Sequence, residues 1–206
     1  MSARYIYPAG RQERFEASMD ARFQGRARGE SWLDFVRSRP IEAAAIAVAV
    51  GGALAILGAW FFQYGLGLRP CPLCLEQRYP YYFAIPLAVL VAIGVSAGAS
   101  RKVLLGALVA LAALMLWNAG LGSYHAGVEW KWWQGPQDCS GPLEGLGSAG
   151  DLLDRLQSIS VVRCDEAAWR FLGLSLAGYN VLISLALAAV AAWGFAAGRH
   201  RPLAGE

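Results

Sequence analysis

Four long apolar stretches, separated by polar segments, dominate the pattern of the chain. Each is long enough to cross about 30 Å of hydrocarbon, because an α-helix rises about 1.5 Å per residue. We therefore predict an all-α integral membrane protein in which four transmembrane helices form a bundle. Pro80 and Pro86 fall inside the second stretch and predict a kink there. The stretches cover about Ile41–Tyr64, Pro72–Ala99, Val103–Gly122 and Phe171–Ala197.

The polar segments divide the chain around a membrane domain that we place at residues 41–197. Residues 1–40 and 198–206 are predicted to be terminal tails, and the segments at about 65–71 and 123–170 to be loops on one side of the membrane. In the longer loop, Ser148 and Asp151 resemble a helix start. The apolar residues that follow have helical spacing and predict a short amphipathic helix: Leu152, Leu153, Leu156 and Ile159.

Composition and charge agree with a membrane protein and indicate its orientation. Charged residues make up 16% of the chain, against about 25% in a soluble domain. The net charge of +3 is small and scattered, which argues against a nucleic-acid-binding surface. Twelve of the 18 Lys and Arg residues lie on the side of the two termini. The positive-inside rule therefore predicts N-in/C-in topology, with cytoplasmic tails and periplasmic loops.

All four cysteines are predicted to lie on the periplasmic side, just outside the apolar stretches. The periplasm is a compartment in which disulfides persist. The placement of the cysteines therefore permits disulfide chemistry. They are Cys71, Cys74, Cys139 and Cys164.

The first pair stands in Cys71-Pro72-Leu73-Cys74. Pro72 suits the first turn of a helix, so Cys74 would lie where exposed N–H groups and the helix dipole favour a thiolate. Arg78 follows four residues later and would add a positive charge on the same face. A stabilised thiolate at the membrane surface suits electron transfer to a quinone. A structural disulfide or a zinc half-site is the alternative, but zinc would need a further ligand pair, and we predict no metal site.

The second pair, Cys139 and Cys164, has 24 residues between its members. A bridge between them would close a surface loop and could be purely structural. Two disulfides on one membrane face can also exchange through thiolate attack. The residues alone leave both interpretations open.

Polar and aromatic residues near the ends of the stretches add candidates of lower specificity. His125 follows the third stretch and is either a solvated interfacial group or, near the level of Arg78, a ligand of a quinone oxygen. Asn118 and Asn180 lie inside stretches, where hydrogen bonds between helices explain them as well as a functional role. An interfacial aromatic belt accounts for Trp130, Trp132 and Trp133.

Together these residues resemble the disulfide bond formation protein B (DsbB) family over roughly residues 41–197. The resemblance rests on the four stretches, the motif from Cys71 to Arg78, and the Tyr124-His125 pair. It rests also on Cys139 with Cys164, and on the segment 162–175, which resembles the family's approach to its last helix. Residues 1–40 form a longer tail than the family pattern, and Gln77 stands where some relatives carry an acidic residue.

The resemblance implies a membrane thiol:quinone oxidoreductase and a role for each cysteine. Cys139 and Cys164 would form the loop disulfide that oxidises a periplasmic DsbA-like thioredoxin-fold protein, with Cys139 in the mixed disulfide. Cys71 and Cys74 would re-oxidise the loop pair, and Cys74 would pass two electrons to ubiquinone or menaquinone. Arg78 and His125 would hold the quinone. The implied location is the bacterial inner membrane.

Two other functions compete with this interpretation. A membrane scaffold or transporter with two structural disulfides would also carry four cysteines, although it gives no reason for Arg78 beside Cys74. A protein resembling vitamin K epoxide reductase also couples loop cysteines to a CxxC motif at a helix end. In that family we expect the CxxC late in the chain, whereas here it begins the second stretch.

Overall fold

The computed structural model describes residues 32–136 and 163–200. Within these ranges it is almost wholly helical. The chain divides after Arg39 into two units, and helix α1 belongs to the first. The helices are α1 Trp32–Ser38, α2 Pro40–Trp60, α3 Pro72–Glu76, α4 Tyr79–Ser96, α5 Arg101–Glu129 and α6 Leu176–Gly198, and a π-helical turn, Phe61–Gly65, extends α2.

Four helical segments are long and apolar enough to cross a membrane, which confirms the predicted four-span architecture. Each has a mean hydropathy of 1.6 or more over its most apolar window. No more than a third of each window is buried in the protein, so most apolar side chains are left to face lipid. The segments are Pro40–Gly65, Pro72–Ser96, Arg101–Glu129 and Leu176–Gly198.

Successive spans run in opposite directions, so the bundle has two ends. The cysteine end contains the starts of α3 and α6 and the end of α5. The opposite end contains Pro40, Ser96, Arg101 and Gly198. The core between them consists of small and aliphatic side chains. Its residues that are no more than 1% exposed are Ala44, Ala45, Val48, Ala84, Ala88, Leu108, Leu111, Met115 and Ala191.

The second span is interrupted where the sequence predicts only a kink. α3 ends at Glu76, Gln77 and Arg78 form a turn, and α4 begins at Tyr79. Pro80 therefore lies in the first turn of a new helix, where its missing N–H costs no hydrogen bond. Pro86 does lie inside α4.

The other spans differ from their predicted limits at the cysteine end. α5 continues to Glu129, so the polar segment after Gly122 begins as helix and carries His125 on it. The fourth span begins later than predicted, at Leu176, because residues 170–175 form a two-stranded hairpin with Arg170 opposite Ser175. The predicted amphipathic helix at 148–159 lies outside the described residues.

The turn of this hairpin has an unusual backbone. Leu172 and Gly173 both have positive φ, 50° and 83°, as the two central residues of a tight type I′ hairpin turn require. Glycine adopts such angles freely, whereas leucine rarely does. The hairpin carries Phe171 to the side of Trp169, with ring centroids 5.8 Å apart, and so forms an aromatic wall at the cysteine end.

Candidate functional site

The two cysteines of the CxxC motif meet at the start of α3. Cys71 is the N-cap residue, and its Sγ accepts a hydrogen bond from the backbone N–H of Cys74 at 3.2 Å. Pro72 occupies the first turn, as the motif predicts. Both cysteines are free thiols, and their sulfurs are 2.7 Å apart. A disulfide has an S–S length of about 2.05 Å, so only a small movement would accompany disulfide formation when an acceptor removes two electrons and two protons from the pair.

The Cys71 thiol holds its proton strongly. Its hydrogen bond to the Cys74 sulfur and its burial raise the pKa of Cys71 well above the ordinary cysteine value. Only 3% of Cys71 is exposed, so a charge on this sulfur would be poorly hydrated. When the pair loses its first proton, the negative charge therefore belongs to the Cys74 sulfur.

His125 lies directly against the thiols. Its Nε2 is 3.6 Å from the Cys71 Sγ and 3.8 Å from Oε1 of Glu129, one helical turn further along α5. Its other nitrogen, Nδ1, is 2.7 Å from Nε2 of Gln77. The imidazole is only 3% exposed. The two thiols and the imidazole lie within 4.8 Å of one another, close enough for a set of metal ligands.

A chain of buried polar side chains leads from His125 into the bundle. The Gln77 Oε1 accepts a hydrogen bond from Asn180 at 2.7 Å. The Asn180 Oδ1 accepts hydrogen bonds from Tyr81 at 2.8 Å and Asn118 at 3.3 Å. Ser184 lies within 3.1 Å of both of these donors. The helices are thus tied together by hydrogen bonds, the explanation that the sequence offered for Asn118 and Asn180.

A cavity of about 640 Å³ opens beside Cys74. Its walls are mainly apolar or aromatic and include Leu54, Ile56, Phe62, Trp169, Phe171, Tyr179 and Ile183. Its polar lining residues are Gln63, Arg69, Cys74, Gln77, Arg78, His125 and Asn180.

Arg78 is held within this cavity wall by a neighbour on the preceding span. Its Nη1 donates a 2.7 Å hydrogen bond to Oε1 of Gln63, in the π-helical turn. The sequence predicts Arg78 on the same helix face as Cys74, but α3 ends at Glu76, so the two residues do not share one continuous helix. Arg78 and Cys74 nevertheless line the same cavity.

The two thiols differ in their access to cavities. Cys74 lines the large cavity, and Cys71 does not. Both line a small cavity of about 30 Å³ beside it, which contacts Arg163 and Glu166 of the segment before α6. Cys74 therefore faces the large apolar cavity, and Cys71 lies towards the polar segment.

Cys164 lies on the Cys71 side of the site. It is completely buried, in a cluster with Cys71, Leu73 and Val128, and it is disulfide-bonded. Its backbone lies close to the His125 imidazole. Cys139 lies outside the described residues.

Ion pairs fix the polar segment around Cys164. Arg163 donates two hydrogen bonds to Asp165, at 2.8 and 3.0 Å, and its Nη1 is 3.5 Å from Oε1 of Glu166. The Arg163 guanidinium holds the pKa of Asp165 below its usual value. The side chains of Arg163 and Asp165 are 54% and 32% exposed, so the pair orients the chain more than it stabilises it.

Sequence reasoning missed Gln63 and Glu129 and treated Gln77 only as a departure from a family pattern. Glu129 is 8% exposed, and its Oε2 lacks a hydrogen-bond partner among the described residues. Its spacing of four residues from His125 predicts a shared helix face, but only if α5 is known to continue past Gly122. Gln63 lies at the end of an apolar stretch, where an amide carries no specific signal.

Comparisons with known proteins show which family this chain is similar to. The model of the family described as "Disulfide bond formation protein DsbB" matches residues 41–194. A disulfide bond formation protein B of Albidiferax ferrireducens is 32% identical over 76% of this chain and 90% of its own length. One of Saccharophagus degradans is 31% identical over 72% of this chain and 89% of its own length. No solved structure is significantly similar to the chain. With four membrane-spanning helices and a family match over most of its length, the chain belongs to the disulfide bond formation protein B (DsbB) family.

Proposed function

We propose that this protein is a thiol:quinone oxidoreductase of the bacterial inner membrane. It re-oxidises a periplasmic DsbA-like dithiol protein and passes two electrons through Cys139/Cys164 and Cys71/Cys74 to ubiquinone or menaquinone. Its cysteines face the periplasm and both termini the cytoplasm. One observation carries the proposal: of the two cysteines of a free dithiol, only Cys74 lines a large, mainly apolar cavity, which Arg78 also lines.

The residues of the cavity fit a quinone. Its volume of about 640 Å³ lies within the range of 300–1,000 Å³ that is usual for small-molecule sites. The aromatic and aliphatic walls suit a hydrophobic ring and tail, the N–H groups of Arg78 can donate to a quinone oxygen, and His125 would hold the quinone from the same wall. Both side chains line the same cavity as Cys74.

The reaction is balanced without a further reactant. A bound quinone supplies an acceptor for two electrons and two protons, and the dithiol that supplies them becomes a disulfide. Cys74 is the cysteine that faces the acceptor, because Cys71 lines only the smaller cavity. The positive charge of Arg78 favours a thiolate at Cys74 in the same wall.

The other pair of cysteines would connect this site to the soluble partner. Exchange between disulfides requires a thiolate to reach a sulfur of the other pair. Cys164 packs in one buried cluster with Cys71, which gives such an exchange a short path. In the proposed sequence, Cys139 forms the mixed disulfide with the partner, and Cys71 and Cys74 then re-oxidise the loop pair.

The test is quinone reduction by the purified protein in detergent, with a reduced DsbA-like protein as electron donor. The loss of quinone absorbance is followed for the wild type and for Cys74→Ser. We expect turnover by the wild type and none by Cys74→Ser, which should still form one mixed disulfide through its loop pair. Ser96→Ala is the control, because Ser96 is exposed at the opposite end and donates only within its own helix.

Two results would contradict the proposal. If the wild type reduces neither ubiquinone nor menaquinone with any reduced DsbA-like donor, the disulfides are structural and the protein is a scaffold or transporter. If Cys74→Ser turns over normally, Cys74 is not the sulfur that passes electrons to the quinone.

A further inference from the structure

The amide of Gln77 connects the helix that begins at Cys71 with the imidazole of His125. Its Nε2 donates to the backbone carbonyl of Leu73 at 3.1 Å and is 2.7 Å from the His125 Nδ1. Its Oε1 accepts from the Asn180 Nδ2 at 2.7 Å. Gln77 is 6% exposed, so each polar atom of the amide has a protein partner in place of water.

These partners determine which way round the amide lies. The Leu73 carbonyl can only accept a hydrogen bond, so the amide nitrogen must face it. The reversed amide would set its oxygen against that carbonyl and its nitrogen against the Asn180 amide nitrogen. The orientation of Gln77 therefore follows from a backbone group whose chemistry is unambiguous.

The orientation of the amide decides where the imidazole carries its proton. The second N–H of Gln77 points at Nδ1 of His125, which must therefore offer a lone pair. A neutral imidazole has one N–H, so that N–H is on Nε2. A proton on Nδ1 would instead face the N–H of Gln77 and break the 2.7 Å hydrogen bond.

We propose that Gln77 is a positioning residue that fixes His125 in the Nε2–H tautomer and so directs an N–H towards the sulfur of Cys71. This inference deepens the proposed function. Its catalytic meaning rests on that function, whereas the tautomer of His125 can be measured independently of it. Asn180 and Tyr81 hold Gln77 in turn, because the Asn180 oxygen accepts from Tyr81 at 2.8 Å.

The tautomer determines what His125 can do for the cysteines. With its proton on Nε2, His125 is a hydrogen-bond donor to the Cys71 sulfur, at 3.6 Å, whereas Oε1 of Glu129, at 3.8 Å, is beyond hydrogen-bond distance. It is not a base towards the Cys71 thiol. Cys71 must be a thiolate whenever it attacks or leaves in thiol–disulfide exchange, and an N–H donor stabilises that charge in a buried site.

The same tautomer disfavours a metal at this site. Cys71, Cys74 and His125 are grouped closely enough to ligate a cation. A metal binds the unprotonated nitrogen of a histidine, and here Nε2, which faces the sulfurs, carries the proton. Gln77 thereby keeps the site available for thiol chemistry.

Nitrogen NMR measures the tautomer directly. The protein is labelled with ¹⁵N-histidine and studied in detergent, with reduced thiols and without quinone or partner protein, by long-range ¹H–¹⁵N correlation. The chain has only two histidines, so His200→Gln assigns the His125 signals. We expect the Nε2–H pattern in the wild type near neutral pH.

Substitutions at residue 77 then test the cause. In Gln77→Glu, a carboxylate replaces the donor to Nδ1, and we expect the pattern to change to Nδ1–H or to the doubly protonated ring. In Gln77→Leu the donor is lost, and we expect a mixture of tautomers. Glu76→Gln is the matched control, since Glu76 is exposed beside Gln77, and it should leave the wild-type pattern unchanged.

The proposal has clear contrary outcomes. An Nδ1–H pattern in the wild type overturns the proposal, whatever the variants show. The test therefore does not depend on whether the variants fold. An unchanged pattern in folded Gln77→Glu overturns it as well. Because no quinone is present, loss of the proposed function leaves this measurement intact, and the two failures can be told apart.

Discussion

At the end of the bundle away from the cysteines, the helices meet through small apolar residues. At the cysteine end they meet through thiols, amides and an imidazole. Gly194 of α6 packs against Ala44 of α2, and Gly198 is close to Ile41, so that a Cβ at residue 198 would be 2.5 Å from that side chain. By contrast, the six buried polar or charged side chains among the described residues all lie in the half nearer the cysteines: Gln77, Asn118, His125, Glu129, Ser175 and Ser184.

This difference places stability and the proposed chemistry at opposite ends of the bundle. In lipid, close packing of small residues is a main source of helix association, and the opposite end supplies it. The cysteine end contains a cavity of about 640 Å³, and lost packing lowers stability. We expect substitutions at the cysteine end to change mainly the reaction and those at the opposite end to change mainly the free energy of unfolding.

Removal of the Arg78 guanidinium from the cavity wall should have the largest effect. In Arg78→Ala the proposed quinone site loses a charged donor, and hydrogen bonds to charged groups contribute about 1.5–3 kcal/mol. We expect the KM for quinone to rise about 10- to 100-fold, since each tenfold change is about 1.4 kcal/mol. Steady-state quinone reduction measures it.

The matched control for Arg78 is an arginine at the opposite end of the bundle. Arg199 lies over the Phe195 ring, 5.7 Å from its centre, and Arg199→Gln should leave the KM for quinone unchanged. An unchanged KM in Arg78→Ala would remove Arg78 from the proposed site. An equal rise in both variants would mean that the effect is not local.

A methyl group at the tightly packed end should lower stability without changing the chemistry. In Gly194→Ala the new Cβ collides with Ala44 and comes within 3.3 Å of the Pro40 carbonyl. We expect the free energy of unfolding in mixed micelles to fall by about 2 kcal/mol, within the range for overpacking. The activity of each folded molecule should not change.

Gly106 provides the control for this substitution. A Cβ there meets nothing within 4 Å, so Gly106→Ala should gain up to about 1 kcal/mol from the helix propensity of alanine. If the two alanine variants are equally stable, close packing at Gly194 does not stabilise the bundle.

The third prediction concerns the coupling of the two thiols. The Cys74 sulfur is the largest cause of the raised pKa of Cys71, so Cys74→Ala should lower that pKa. Because the thiolate is the species that is alkylated, alkylation of Cys71 below its pKa should become about tenfold faster for each unit of that decrease. The alkylation rate of Cys71 should rise with pH in both proteins, and in Cys74→Ala this rise should occur at lower pH.

Mass spectrometry of the Cys71 peptide after iodoacetamide treatment measures this rate separately from other cysteines. Leu75→Ala is the control, because Leu75 is exposed next to Cys74 and should leave the curve in place. Equal curves for wild type and Cys74→Ala would show that the two sulfurs are not coupled in the free protein.

The sequence predicts the opposite end of the bundle better than the cysteine end. Hydropathy alone locates all four spans, because length and apolar content are what a membrane selects. It misplaces the ends of spans near the site: polar residues after Gly122 hide the helical continuation to Glu129. The hairpin before α6 is apolar enough that hydropathy assigns most of it to the fourth span.

The parts of the site that the sequence does not predict depend on contacts between residues that are distant in the chain. The CxxC motif carries its helix start in Pro72, so the local geometry of both cysteines follows from the motif. Gln77 contacts His125 because the second span is interrupted after Glu76. Composition does not reveal such a break, because Gln77 reads equally well as an exposed helical residue.

The smallest expected effect tests how much the polar chain at the centre contributes to stability. Ser184 lies 3.1 Å from the Tyr81 hydroxyl and accepts from Asn118 at 3.0 Å, so Ser184→Ala removes a shared partner. Hydrogen bonds between membrane helices contribute about 0.6 kcal/mol on average, and we expect a loss of about that size in the free energy of unfolding. Ser96→Ala, whose hydroxyl donates only to its own helix at 3.5 Å, should show none. A loss of several kcal/mol in Ser184→Ala would overturn the contrast between the two ends, since polar contacts would then stabilise the bundle as much as close packing does.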